Sequence, residues 1–105
     1  MYKVFSTQTY DREIKKLPKQ YQHMIGKIEK EIAINPYVGD GLTFEFLREK
    51  KIKEKRIYYL VYDDIVLVLL VATSGKKDQQ ETINHIKDNL KEFKRYAEEL
   101  AKQFS

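Results

Sequence analysis

The residues able to do chemistry in this chain are basic, and they are crowded. Arg48, Lys50, Lys51, Lys53, Lys55 and Arg56 fall within one nine-residue ribbon, REKKIKEKR, which holds only two acids and so carries a net +4. The whole chain of 105 residues also carries +4, from 20 Lys+Arg and 16 Asp+Glu, so everything outside the ribbon sums to zero. Charge confined to one ribbon builds a local positive potential that can hold a polyanion. Arg56 closes the ribbon and opens the apolar ladder IYYLVYDDIVLVLLVAT, which gives it a rigid seat. A second basic pair, Lys76-Lys77, follows that ladder. The competing reading makes the ribbon a solubilising hairpin, because an excess of lysine also keeps a protein in solution.

Other chemistries lack their residues. His23 and His85 lie in different parts of the chain with no carboxylate or second histidine at ligand spacing, so each reads as a surface or half-buried histidine. There is no phosphate-binding glycine loop and no Gly-x-Ser-x-Gly elbow, and zero cysteines remove thiolate nucleophiles and thiolate metal sites. These gaps weigh against a metalloenzyme, a nucleotide-dependent enzyme and a triad hydrolase, and no cofactor or metal is expected. The amino-terminal stretch has no apolar run of signal-peptide length. The longest apolar run, residues 65–72, is far short of the roughly 20 that a membrane helix needs. A soluble, cytoplasmic chain with an acidic partner and no membrane association is the expectation, consistent with a pI near 9.2.

The elements that must position these cations follow from apolar spacing. A strand is expected over residues 2–6. Thr9 then reads as the cap of a helix with Asp11 in its first turn and Tyr10, Ile14 and Leu17 on one stripe. Pro18 suits the first turn of a second, longer helix whose apolar face is Tyr21, Met24/Ile25, Ile28 and Ile32, stopped by Asn35-Pro36. Gly39-Asp40-Gly41 reads as a loop. Leu42, Phe44 and Phe46 alternate with Thr43, Glu45 and Leu47, the pattern of a strand with one buried face. The ribbon reads as a charged hairpin without an Asn-Gly or Asp-Gly turn. Residues 56–62 form the next strand, Asp63-Asp64 a turn, and residues 65–72 a central strand covered on both faces. In a meander of these strands, Arg56 and Lys77 leave from ends that point opposite ways. They meet if Lys77 lies across the sheet face or if the ribbon curls back.

The tail has a different period. Asp78 can cap a helix, and Ile83, Ile86, Leu90, Phe93, Ala97, Leu100 and Phe104 follow at alternating spacings of three and four. One helix over residues 79–103 would be about 37 Å long at about 1.5 Å per residue. A domain of this size has a radius of gyration near about 13 Å, so the far half is expected to overhang the core. Phe93, Ala97, Leu100 and Phe104 would then pair with a partner, a second copy being one candidate. In the alternative, the helix folds down over the sheet or the helical hairpin. The chain as a whole reads as one α+β domain, residues 1–105, with a core of about 1–77 and an extended C-terminal helix of about 78–104.

The order strand, short helix, long helix, then a sheet with Arg56-Ile57-Tyr58-Tyr59 and a strand ending Val71-Ala72-Thr73-Ser74-Gly75-Lys76-Lys77 resembles the RelE/ParE superfamily of toxin–antitoxin toxins. The likeness covers roughly residues 2–83. It implies a curved, antiparallel-rich sheet with the helical hairpin on one face, and a cognate antitoxin as partner, whose helix is the other candidate to cover the C-terminal seam. For a RelE-like chain it implies metal-independent cleavage of mRNA on the ribosome. Arg56 and Lys77 would be the catalytic cations at the scissile phosphate, Lys77 standing where RelE-type enzymes carry a second arginine and so losing the bidentate fork. Arg48, Lys50 and Lys51 would grip RNA, with Lys53, Lys55 and Lys76 beside them. The sequence departs from the pattern at Ile83, where RelE itself has a near-terminal tyrosine active in proton transfer. The acid/base work would then fall elsewhere, with Tyr58 or Glu49 as candidates. A ParE-like inhibitor of DNA gyrase, and an inactive RNA- or protein-binding module on the same scaffold, are the rival functions.

Overall fold

Residues 56–62 and 67–72 put apolar side chains on both sides of their strands, and that pattern places them at the centre of a sheet. The structure, a computed structural model, describes residues 1–104. In chain order it runs β1 (Lys3–Ser6), α1 (Gln8–Lys15), α2 (Lys19–Ile34), a 3-10 turn (Pro36–Val38), β2 (Asp40–Gly41), β3 (Leu47–Ile52), β4 (Lys55–Tyr62), a second 3-10 turn (Asp63–Ile65), β5 (Leu67–Ser74), α3 (Gln79–Asp88) and α4 (Leu90–Gln103). The five strands lie in the order β1-β5-β4-β3-β2, parallel between β1 and β5 and antiparallel elsewhere. The α+β expectation holds.

The helical hairpin forms as its stripes require. Thr7, extended and directly after β1, caps α1 by accepting from the Tyr10 amide at 3.2 Å, so the cap is Thr7 and not Thr9. The side chains of Tyr10, Ile25 and Ile32 are buried against Ile57, Tyr59 and Val68 of the sheet. Past Ser6, β1 leaves β5, and the free edge of β5 meets α1 instead. There the Glu13 carboxylate accepts from the Thr73 amide at 3.0 Å, taking the place of a ladder partner.

Two expected elements differ. Residues 42–46 form a turn, not a strand: the Leu42 amide donates to Leu47 O at 2.9 Å, the Leu47 amide donates to Phe44 O at 3.1 Å, and the rings of Phe44 and Phe46 stack at 5.1 Å. Local hydrogen bonds closing this loop win over a short alternation. The edge strand is β2, the stretch that reads as a Gly-Asp-Gly loop, paired through Asp40↔Glu49 and Gly41↔Arg48.

The C-terminal helix is two helices. Asn89 ends α3, donating its amide to Ile86 O at 3.0 Å and its side chain to His85 O at 2.8 Å, and α4 starts at Leu90. The apolar period passes unbroken through this joint, which is why spacing alone reads one rod. The uncovered face of the sheet decides otherwise: Ile83, Ile86, Ala97 and Leu100 are buried with Leu47, Tyr58, Leu60 and Leu69. Phe93 packs half-buried on the same cluster, and the Phe104 ring meets Phe5 with centroids 5.4 Å apart. Of the four side chains expected to pair with another chain, Ala97 and Leu100 are buried within this one and Phe93 is half-buried, while Phe104 stays 55% exposed; the radius of gyration is 12.8 Å. No described helix is long and apolar enough to cross a membrane.

Truncation after Lys91 is expected to unmask this face. Losing a few large apolar contacts at about 1.5–3 kcal/mol each would consume much of a typical net stability of about 5–15 kcal/mol. Thermal melts should show a lower, broader transition, while sedimentation shows no change from one association state to another.

A second expectation concerns Asp63. Its carboxylate accepts from Tyr2 Oη at 2.6 Å and Tyr37 Oη at 2.5 Å, and these bonds hold its carboxyl below the ordinary value. A depressed folded pKa contributes stability that is present above the unfolded carboxylate pKa, about 4, and is lost as pH falls through the lower folded value. Asp63→Asn should flatten the acid limb of the stability–pH curve in melts taken below about pH 4.

Candidate nucleic-acid interface

Antiparallel pairing fixes where each cation stands. The β3–β4 register sets Lys51 opposite Arg56 and Ile52 opposite Lys55, with Lys53-Glu54 as the two-residue turn. Lys53 adopts φ 55°, the positive φ that this tight hairpin demands and that glycine or asparagine usually supplies. The β4–β5 register sets Arg56 opposite Ser74. The start of β4 therefore lies beside the end of β5, and the Gly75-Lys76-Lys77-Asp78 turn emerges next to Arg56. No curl of the ribbon is needed: neighbouring antiparallel strands bring the start of one to the end of the other, which corrects the expectation that these ends point apart.

The result is one cleft of about 570 Å³ lined by Lys51, Lys53, Lys55, Arg56, Lys76 and Lys77, with Glu54 and Asp78 as the acids on its wall. Six cations around one concavity focus a positive potential. Asp78 does not cap α3 with its side chain; its Oδ1 accepts from the Gly75 amide at 2.8 Å and so shapes the turn.

Arg48 and Lys50 are not in the cleft. Side chains alternate along β3, so these two share the face of Ile52, under the helical hairpin, while Lys51 shares the opposite face with Glu49. Arg48 is 7% exposed, and both of its terminal nitrogens are engaged in holding the loop, while its Nε has no hydrogen-bond partner. Its Nη1 donates to Glu45 O at 3.1 Å and Glu45 Oε1 at 3.0 Å, its Nη2 donates to Tyr37 O at 3.1 Å and to Gly39 O, and its guanidinium lies 5.0 Å from the centre of the Tyr37 ring. Gly39 itself admits no side chain, since a Cβ there would stand 2.6 Å from Glu49 O. Lys50, half-buried, remains on that side.

Beneath the cleft lies a polar floor that spacing did not reveal. Arg56 is 7% exposed, and its Nε stands 3.8 Å from Glu49 Oε2. Gln79, in the first turn of α3, donates from Nε2 to the same oxygen at 2.8 Å. Tyr58 Oη and Ser74 Oγ are 2.8 Å apart, and burial pushes the Tyr58 phenol up to about 12. Ile83, where a tyrosine is expected of RelE, is a core residue on the inner side of α3. Gln79 carries no motif, and only the fold brings it to Glu49. His23 and His85 are both exposed, and no cluster of potential metal ligands occurs among the described residues.

The backbone carrying this cleft has known counterparts. A chain of the intact E. coli RelBE toxin–antitoxin complex superposes with a TM-score of 0.65 at 18% identity, covering 71% of this chain and 96% of its own. A double mutant of E. coli toxin RelE in the free state gives 0.68 at 20% identity, over 79% and 90%. The RelBE2 complex of Mycobacterium tuberculosis gives 0.63 at 22% identity, over 71% and 91%. This chain has the RelE toxin fold. No protein-family model matches the sequence, and no curated protein matches it either. The RelE-like core thus carries the basic hairpin and the Gly-Lys-Lys turn at adjacent strand ends.

The separation of Arg48 from the cleft has a measurable consequence. Arg48→Ala should destabilise the fold by about 2 kcal/mol or more, because buried carbonyls lose charged donors. Lys51→Gln, Lys53→Gln and Lys77→Gln should each stay within about ±0.5 kcal/mol. Combined, the three lysine changes should lower the slope of log K against log salt for RNA binding by about 0.7 per charge, while Lys50→Gln leaves it unchanged.

Proposed function

We propose that this chain is the toxin of a toxin–antitoxin pair, a RelE-type ribonuclease that cleaves mRNA on the ribosome in the cytoplasm. The observation that carries this reading is the convergence of Arg56, Lys77 and four further lysines on one cleft of a RelE fold. Solved relatives of that fold are toxin–antitoxin complexes, which supports a small antitoxin as the partner here.

Strand cleavage without a metal asks for three things: removal of the ribose 2′-hydroxyl proton, stabilisation of the crowded phosphorane, and a proton for the leaving 5′-oxygen. The cations answer the second. Arg56 at the floor and Lys77 at the rim bracket the place where a phosphate would sit, and Lys51, Lys53, Lys55 and Lys76 hold the flanking phosphates. For the proton transfers, Tyr58 is a poor donor, being fully buried, bonded to Ser74 and raised to about 12. Glu49, the carboxylate beside Arg56, is the better-placed acceptor.

Purified translating ribosomes test this. The wild-type chain should cut the mRNA, and Arg56→Ala should lower the rate on the order of 10²–10³-fold, the loss typical of removing one donor from a developing anion. Lys77→Ala should lower it less, because a point charge replaces a fork. Undiminished cleavage by folded Arg56→Ala protein, or none by the wild type, would refute the reading.

A further inference from the structure

Arg56 is sequestered in this conformation. The cation that should meet a phosphate is 7% exposed, and its Nε and Nη1 are buried with no hydrogen-bond partner. Guanidinium donors left unpaired in the interior are costly. The 3.8 Å from Nε to Glu49 Oε2 is too long to satisfy one. That same oxygen accepts from Gln79 Nε2 at 2.8 Å. Gln79 thus ties the first turn of α3 to the floor of the cleft through the carboxylate beside Arg56.

The segment it ties has little else to anchor it. Lys76, Lys77 and Asp78 are exposed, Gly75 begins the turn, and the first buried side chain of α3 is Ile83, one turn beyond Gln79. The Asp78 bond to the Gly75 amide shapes the turn from within and does not fasten it to the sheet.

We propose that the Gln79–Glu49 hydrogen bond is a latch that holds the start of α3 shut over Arg56, and that an anionic phosphate entering the cleft opens it. This rests on reading the cleft as a phosphate site. In the closed state one amide–carboxylate bond is made and two guanidinium donors are stranded. In the open state the phosphate oxygens supply those partners, so the ligand binds the open state better and shifts the balance toward it. Opening also releases the Glu49 carboxylate. Free protein is then poorly active, and apparent affinity is lowered by the fraction of time the latch is shut.

Modification of arginine by phenylglyoxal, read residue by residue by mass spectrometry, tests the latch without ribosomes or activity. Exposed Arg12 serves as the internal reference. In the wild type, Arg56 should react far more slowly than Arg12. Gln79→Ala should speed Arg56 about tenfold, the factor expected for loss of one charge-assisted bond. The swap Glu49→Gln/Gln79→Glu, which rebuilds the pair in the opposite sense, should restore protection. A 2′-O-methyl RNA hexamer, which cannot be cut, should bind Gln79→Ala up to about tenfold tighter than the wild type. Wild-type Arg56 reacting at the rate of Arg12, a Gln79→Ala rate equal to the wild type, a swap as reactive as Gln79→Ala, or equal affinities for the hexamer would each overturn the latch. The wild-type comparison needs no variant to fold. A protected Arg56 in a chain that cuts no mRNA would sink the proposed function and keep the latch; a freely modified Arg56 in a chain that cuts would do the reverse.

Discussion

Tyr58 and Tyr59 are neighbours in the chain, are both fully buried, and point to opposite faces of the sheet. That pair states the constraint on which the rest of the molecule depends: β4 and β5 are apolar on both sides and must be covered twice. The helical hairpin covers one face. The other has only residues 79–104 to cover it, and so the C-terminal segment bends at Asn89 and lies down. Without that second layer, Gln79 would have no reason to stand near Glu49, and Arg56 would face water. A β-bulge between Tyr58 and Tyr59 gives the two rings room, since Tyr58 pairs with Ala72 while Tyr59 pairs with Leu70.

What the sequence disclosed was set by local rules. The helical hairpin, the stop at Asn35-Pro36, and a covered strand within residues 65–72 follow from spacing and backbone chemistry, although that strand starts only at Leu67: Ile65 belongs to the turn and Val66 takes a left-handed, half-exposed conformation. The ribbon was legible as a charge concentration but was read as one surface. Strand alternation divides it, sending Arg48 and Lys50 to one face and Lys51 to the other, and that much is implicit in a period of two. What spacing could not supply was long-range. The joint at Asn89 lies inside an uninterrupted apolar period, and the demand that breaks the helix comes from strands up to forty residues earlier. Gln79 is silent for the same reason, since its significance is a contact thirty residues away in sequence.

The two arginines of the ribbon show how one residue type serves two ends. Arg48 spends its donors on the carbonyls of Tyr37, Gly39 and Glu45, and that network holds an irregular loop against the sheet where no ladder can. Its planar fork suits several carbonyls at once in a way that a lysine ammonium does not. Arg56 has the same fork and similar burial, but two of its nitrogens find no acceptor. At Arg48 both terminal nitrogens are bonded and only Nε is left over, whereas at Arg56 a terminal nitrogen is left over as well as Nε.

The bond from the Thr73 amide to Glu13 has a consequence for the molecule among its neighbours. The outer rim of β5 beyond β1 is the kind of open border onto which a strand from another copy can zip, the first step toward fibrils. A carboxylate from α1 occupies that border. An incoming strand would have to displace it to reach the Thr73 amide. One glutamate thus closes a stretch of sheet border that would otherwise present an unpaired backbone donor.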